Sequence, residues 1–370
     1  MRLHRFHGGL SLPGHKAESA SGPIQACPLP GRLAVPLLQH AGTPALPCVV
    51  AGQRVRAGDV IGCGDGPLSG AVHAPADGTV LALEPRALAQ PPGLDALHVV
   101  IECDPVQAGP QYLPPLDPAT ATPEDLLARI AEAGIVGLGG GGFPTAAKAA
   151  VCRDTLILNG AECEPWIACD DRLLRERADE VVAGGAILRR ITGAGRVLLA
   201  IEDRMPEALQ AAEEALAARP DAGIERVTVP TVYPEGGERQ LIQVLTGLEV
   251  PRGGLPRDIG VLVQNVATAA AVWRAVALGE PVSRRIVTVT GPGVARPGNY
   301  EVALGTAVSD LIAAAGGYTD QAARLLLGGP MMGQSLPDDT FPVTKTSIAV
   351  VVLGAGDVAG GGPELPCIRC

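Results

Sequence analysis

The apolar positions change their period several times along the chain, and each change marks a different architecture. Between residues 33 and 105 they alternate in short runs. Residues 49–61 alternate with Gly52 and Gly58 at turn positions, and residues 72–80 repeat the pattern with Asp77-Gly78 as the expected hairpin turn. This predicts an all-β unit, preceded over 1–32 by a polar, Pro/Gly-rich segment that reads as irregular. A proline-bearing linker follows at 107–118, and then Thr122-Pro123-Glu124-Asp125 opens a helix. Thr122 can cap it, Pro123 suits the first helical position, and the two acids favour the positive end of the dipole. Leu126, Leu127 and Ile130 form its apolar stripe, and Gly134 can end it.

From 155 to 279 short apolar runs alternate with longer helical ones. Strands are expected at 155–159, 196–201, 225–232 and 259–263, with helices at 172–191, 206–218, 238–245 and 268–278. Four such units predict a Rossmann-like parallel sheet with helices on both faces, inside a domain spanning 119–282. Over 284–353 the pattern changes again. Residues 285–290 alternate, 308–315 read as a short helix, and 324–327 and 347–353 read as strands, which suggests a small β-grasp domain. Residues 354–370 read as a linker leading into a further segment.

Composition narrows the function. The chain has 370 residues, a net charge of −10, 47% hydrophobic residues and only 2% aromatic ones. It is too apolar for a disordered protein and long enough for two or three domains. Its acidic balance excludes a dedicated nucleic-acid binder. The N-terminus lacks the apolar core of a signal peptide, and no run approaches the ~20 apolar residues of a spanning helix. The chain therefore reads as soluble and cytoplasmic, able to dock on a membrane complex. Nine cysteines at irregular spacing suit free thiols better than a disulfide framework. All six histidines lie within the first 98 residues; His4 and His7 lack a third metal ligand at useful spacing.

In open parallel sheets, ligands bind beyond the carboxyl ends of the strands. The segments that follow the four strands are all polar: Asn159 to Pro165, Glu202-Asp203, Tyr233 to Glu238, and Gln264 to Thr268. Before the sheet lies Gly137-Leu138-Gly139-Gly140-Gly141-Gly142-Phe143-Pro144-Thr145. Its match to GxGxxG sits in the wrong context for a dinucleotide fingerprint, since a helix precedes it. It is not a Walker loop, because Phe143 follows Gly142 where lysine is required. What remains is a loop that can bring N–H groups close to an anion, with Lys148 one turn into the next helix. A flexible hinge is the alternative.

These segments carry a resemblance. Gly137–Thr145, Asn159–Pro165, Tyr233–Glu238 and Gln264–Thr268 occur in the order seen in the flavin- and NADH-binding subunit of respiratory complex I. Phe6-His7-Gly8-Gly9, Gly160 to Pro165 and Leu327-Gly328-Gly329-Pro330-Met331-Met332-Gly333 resemble more closely the C subunit of Rnf electron-transport complexes. The all-β unit is similar to the flattened barrel-sandwich of biotinyl and lipoyl carriers, but residues 66–71 hold no carrier lysine. The resemblance spans nearly the whole chain and implies a barrel-sandwich, an FMN/NADH-binding domain and an SLBB-like β-grasp domain.

The resemblance also implies site residues. Gly137, Gly139, Gly140, Gly142, Phe143 and Lys148 would hold the phosphate and ribityl chain of FMN. Asn159, Glu162 and Cys163 would line the flavin, and Glu164 would face the nicotinamide nucleotide. Tyr233, Gly236 and Glu238 would sit against flavin and nucleotide, and Asn265 and Thr268 would close the flavin site. No protein side chain is expected to act as the catalyst, because the flavin does the chemistry. Leu138, Ala161, Gly237 and Ala267 depart from the complex I pattern, where an arginine and acids stand. Phe143 is the sole aromatic near the loop, so the phenylalanine-lined adenine clamp is expected to be missing. Met331-Met332 reads as packing.

The implied activity is that of an ion-translocating ferredoxin:NAD oxidoreductase, passing electrons between NAD(H), FMN and iron–sulfur clusters. Its partners would be the other Rnf subunits, and its place the cytoplasmic face of the bacterial inner membrane. Two alternatives stay open: a docking subunit with a weakened nucleotide site, and the diaphorase module of a soluble hydrogenase or formate dehydrogenase. Cys367 and Cys370 resemble the opening of a ferredoxin-type 4Fe-4S run, but a four-iron cluster needs four ligands. The chain by itself is therefore expected to bind no cluster, and to be a piece of a longer protein.

Overall fold

The computed structural model describes residues 6–66, 68–358 and 366. Cys367, Cys370 and His4 lie outside the described residues.

The first unit is a sandwich of two small sheets. One has the strand order Arg32–Pro36, Asp95–Cys103, Gly78–Ala87, Arg54–Val55, and the other Leu46–Pro47, Val60–Cys63, Val72–His73. Leu33, Val35, Ile61, Val80, Val99 and Ile101 fill the space between. The hairpin expected at Asp77-Gly78 does not form, because the strands on either side of it belong to different sheets. Asp77 is a corner post: its carboxylate accepts from the N–H groups of Ala57 and Ala108 at 2.8 and 2.6 Å. The expectation of free thiols is also corrected. Antiparallel pairing of Leu46 with Cys63 brings Cys48 close, and Cys48 and Cys63 form a disulfide with Cα atoms 6.2 Å apart. Short-range spacing hides this pairing because it depends on strand register.

The central sheet is fully parallel, in the order Ile224–Val229, Arg196–Glu202, Thr155–Gly160, Val261–Asn265. Successive residues along each strand face opposite sides. Leu156 and Leu158 join one core with the helices Cys169–Thr192, Pro206–Ala218 and Val266–Trp273. Ile157 joins the other, beneath Glu238–Thr246. Gly184 lets two helices touch: a Cβ there would stand 1.8 Å from the carbonyl oxygen of Ala269. The helix Pro123–Glu132 starts as expected, with a reciprocal capping box between Thr122 and Asp125. No helix among the described residues is long and apolar enough to cross a membrane.

The last unit is a mixed sheet ordered Gln25–Ala26, Gly298–Ala303, Arg284–Thr290, Ala349–Gly354, Ala322–Leu327, Gln334–Ser335, with the helix Val308–Ala314. The N-terminal segment, expected to be irregular, supplies the first of these strands. It pairs parallel to Gly298–Ala303 through Gln25 and Ala26.

Candidate functional site

The chain leaves the strand Thr155–Gly160 toward Arg196–Glu202 on one side and returns on the other as Val261–Asn265. The order reverses between the first and last of these strands, and there an open α/β sheet leaves a crevice. A cavity of about 850 Å³ occupies it, within the usual range for cofactor sites. Thirteen of the fifteen implied residues line it: Gly137, Gly139, Gly140, Phe143, Lys148, Asn159, Glu162, Cys163, Glu164, Tyr233, Gly236, Glu238 and Asn265. Gly142 and Thr268 do not.

The Gly-rich loop is a closed hairpin. Gly137 N–H donates to Phe143 O at 2.8 Å, and Gly142 N–H to Gly137 O at 2.9 Å. Gly140 and Gly142 take φ of +95° and +61°, conformations that suit glycine. Between the closing bonds, the N–H groups of Gly139, Gly140 and Gly141 make no hydrogen bond to another described residue, and all three glycines line the cavity. The loop is pinned from behind at Leu138. Its N–H donates to Thr268 Oγ1 at 2.9 Å, and its carbonyl accepts from Arg285 Nη2 at 2.6 Å. Thr268 therefore acts through the loop, and Leu138 itself is buried. Gly142 faces the barrel, where its carbonyl accepts from Ala41 N–H at 2.9 Å.

Several implied flavin residues spend their polar atoms on the wall itself. Asn159 Nδ2 donates to Gly236 O at 2.9 Å, while its Oδ1 accepts from Ala161 N–H at 3.0 Å. Cys163 Sγ accepts from Gly236 N–H at 3.3 Å, and burial pushes its thiol up to about 12. Asn265 caps the helix Val266–Trp273 and donates to Asp170 Oδ2 at 2.6 Å. Glu162 is buried against the start of the helix Cys169–Thr192. Its Oε1 accepts from Asp170 N–H at 3.0 Å, and Lys16 Nζ stands 3.8 Å from its Oε2. Burial raises the Glu162 carboxyl to about 8, against the pull of Lys16.

Lys148 Nζ donates to Glu238 Oε1 and to Val263 O, both at 2.8 Å. Tyr233 pairs with Leu10 through two backbone hydrogen bonds of 2.7 and 2.9 Å. Trp166 N–H donates to Gly14 O at 2.8 Å, and its ring stacks on His15 at 4.4 Å. Residues 10–16 therefore strap two of the cavity loops. Behind the wall sits a pair of buried carboxylates. Neither oxygen of Glu235 nor Oε1 of Glu202 has a partner among the described residues, and burial pushes both groups up to about 7.

Glu164 connects two domains. Its Oε1 accepts from the N–H groups of Met331 and Met332, at 2.8 Å each. Leu327, Gly328, Gly329, Met332 and Gly333 thereby become part of the cavity lining, and Met332 stays largely exposed instead of packing as expected. Sequence reasoning missed Lys16, Asp170, Arg285 and this loop's place at the site. Only the Gly-Gly-Pro-Met-Met run gave a signal in the sequence. Among the described residues, no group of three or more His, Cys, Asp or Glu side chains could hold a metal ion.

Three family descriptions match the chain: the RnfC barrel sandwich hybrid domain over residues 4–106, the Nuo51 FMN-binding domain over 130–274, and the SLBB domain over 286–335. The C subunit of the ion-translocating oxidoreductase complex of Pseudomonas aeruginosa is 48% identical over 100% of this chain and 48% of its own length. The proteins of the same description from Haemophilus influenzae and Rhodobacter capsulatus are each 42% identical. They match 100% and 99% of this chain, and 56% and 71% of their own lengths. The chain thus spans about half the length of the first two relatives. Among solved structures, an NAD+-reducing NiFe hydrogenase in the H2-reduced state is similar with a TM-score of 0.54 and 25% identity. That match covers 65% of this chain and 48% of the hydrogenase chain.

Proposed function

The chain belongs to the C-subunit family of ion-translocating oxidoreductase complexes, and from that premise we propose that its cavity takes FMN and NAD(H) for ferredoxin:NAD oxidoreduction. The observation that carries this reading is the row of N–H groups on Gly139, Gly140 and Gly141, without protein acceptors among the described residues, at the switch point of a parallel sheet. Such a row suits the oxygens of a phosphate or ribityl chain. Lys148 adds a charge whose present partners are a partly exposed carboxylate and the carbonyl of Val263.

FMN, when bound, supplies hydride chemistry with nicotinamide and single-electron transfer onward. The chain's own residues hold and orient. The Gly-rich loop and Lys148 would bind the anionic part of FMN. Asn159, Gly236 and Cys163 keep two cavity loops in register, so that the ring has a fixed wall. Asn265 and Thr268 hold the helix start and the loop that face it. Glu164 and Glu238 would accept hydrogen bonds from the nucleotide. The clusters that receive the electrons, the partner subunits and the docking at the cytoplasmic face of the inner membrane belong to the same proposal.

The test is cheap. Anaerobic protein is titrated with FMN while flavin fluorescence is followed, and NADH is then added under argon. Stoichiometric uptake followed by bleaching of flavin absorbance is the expected result. Absence of flavin uptake would overturn the reading in favour of a docking role.

A further inference from the structure

Met332 lines the cavity yet is 73% exposed. Phe143, Val151 and Leu255 also line it, with 39%, 57% and 49% of their surface open. Four large apolar side chains left in water around one cavity call for a partner.

The backbone behind Met332 is firmly held. Besides the two bonds to Glu164, Gly333 N–H donates to Gly329 O at 2.8 Å, and Gly328 N–H to Ala349 O at 2.7 Å. Gly328 has φ +91°. At Gly329 a Cβ would stand 2.3 Å from Glu164 Oε1, so no side chain fits between this loop and its anchor. The arrangement fixes the main chain and leaves a flexible, polarisable thioether at the edge of a site.

Resting on the reading that the cavity takes NAD(H), we infer that Met332 is the surface on which one heteroaromatic ring of the dinucleotide packs, with Glu164 holding its loop in place. A planar ring carrying ribose hydroxyls matches an apolar rim set beside a carboxylate that can accept from them. A sulfur–ring contact supplies part of what an aromatic clamp would supply, in a chain with only 2% aromatic residues. Met332 is the contact residue here, and Glu164 positions it through Oε1, an oxygen distinct from the Oε2 left to accept from the nucleotide.

The experiment uses FMN-loaded protein and calorimetric titration with NAD+, which reads binding without turnover. Met332→Ala should weaken NAD+ binding by about two- to ten-fold, the span of a lost sulfur–ring contact. Met332→Leu, which keeps the apolar contact, should lose less. Gly329→Ala should show a similar loss with Met332 intact, because it displaces the loop from Glu164. FMN affinity should stay unchanged in all three. Titrations with ADP-ribose and with nicotinamide mononucleotide identify the ring: whichever ligand weakens with Met332→Ala carries it. Unaltered NAD+ affinity in Met332→Ala overturns the inference, whatever Gly329→Ala shows. Failure of the wild type to bind NAD+ overturns the underlying reading as well, and shows before any variant is compared.

Discussion

Lys148 and Glu238, from motifs ninety residues apart, meet across the edge strand with Nζ 2.8 Å from Oε1. Both are partly exposed, so the pair contributes roughly 0–1 kcal/mol and does little to keep Lys148 from an incoming anion. Lys148→Ala should lower FMN affinity about ten-fold, the scale of one charge-assisted hydrogen bond. Glu238→Gln should leave it equal or higher, because it releases the amine. Fluorescence-quenching titrations at low salt would decide. Equal affinity in Lys148→Ala would remove Lys148 from the proposed flavin site.

Thr268 acts on the cavity through the buried N–H of Leu138. Thr268→Val keeps the shape and removes the acceptor, which should cost about 1–3 kcal/mol of stability. The loosened loop should bind FMN more weakly. Thr268→Ser should restore both. An intact FMN affinity in Thr268→Val would show that the loop does not need this pin.

Glu202 and Glu235 give the protein a pH signature. Burial raises both from the ordinary 4.5 to about 7, with the Glu202 charge adding to the effect on Glu235. The native state therefore holds protons that the unfolded chain has released. The associated stability is complete below about pH 4.5 and is lost as pH rises through 7. Lys16, Asp171 and Asp203 also act on Glu202, the lysine favouring its charged form and the two acids opposing it. Glu235→Gln should gain on the wild type by about 2–3 kcal/mol between pH 5 and pH 8. Urea denaturation at the two pH values measures it, and a constant difference would contradict the assignment.

Lys345 shows the opposite sign. It is fully buried, and its Nζ donates to Ala71 O at 2.6 Å and Gly134 O at 2.7 Å, one carbonyl from each of the other two domains. Burial lowers it from 10.5 to about 7. The unfolded chain then binds the extra proton between those values, and stability should rise with pH across that window. Relative to Lys345→Met, the wild type should gain a few kcal/mol between pH 7 and pH 9.5. A flat comparison would mean that the amine stays charged in the folded protein.

The elements of the central sheet were legible in the sequence because their signals are local. The helix Pro206–Ala218 has the bounds that its period predicts, and Thr122 caps where its chemistry says it should. The Gly-rich loop was legible for a related reason: consecutive glycines carry no side chains to cover neighbouring N–H groups, and those of Gly139, Gly140 and Gly141 stay open. The cavity lining was largely legible too, since strand ends converge in any parallel sheet. The barrel was less so. Strands only two residues long leave register to long-range contacts, and both the Asp77-Gly78 turn and the Cys48–Cys63 disulfide depended on it.

What the sequence determined by itself is the order of the domains, the parallel sheet and three of the four polar strand ends that line its cavity. Tertiary structure alone decided what those residues do with their polar atoms. Glu164 holds the loop bearing Met332, 168 residues away. Lys16 leaves the N-terminal segment for Glu162, and Arg285 reaches from the β-grasp sheet to Leu138. Each contact joins segments more than a hundred residues apart. Neither period nor propensity carries information over that range, because the partner is chosen by how three packed units meet.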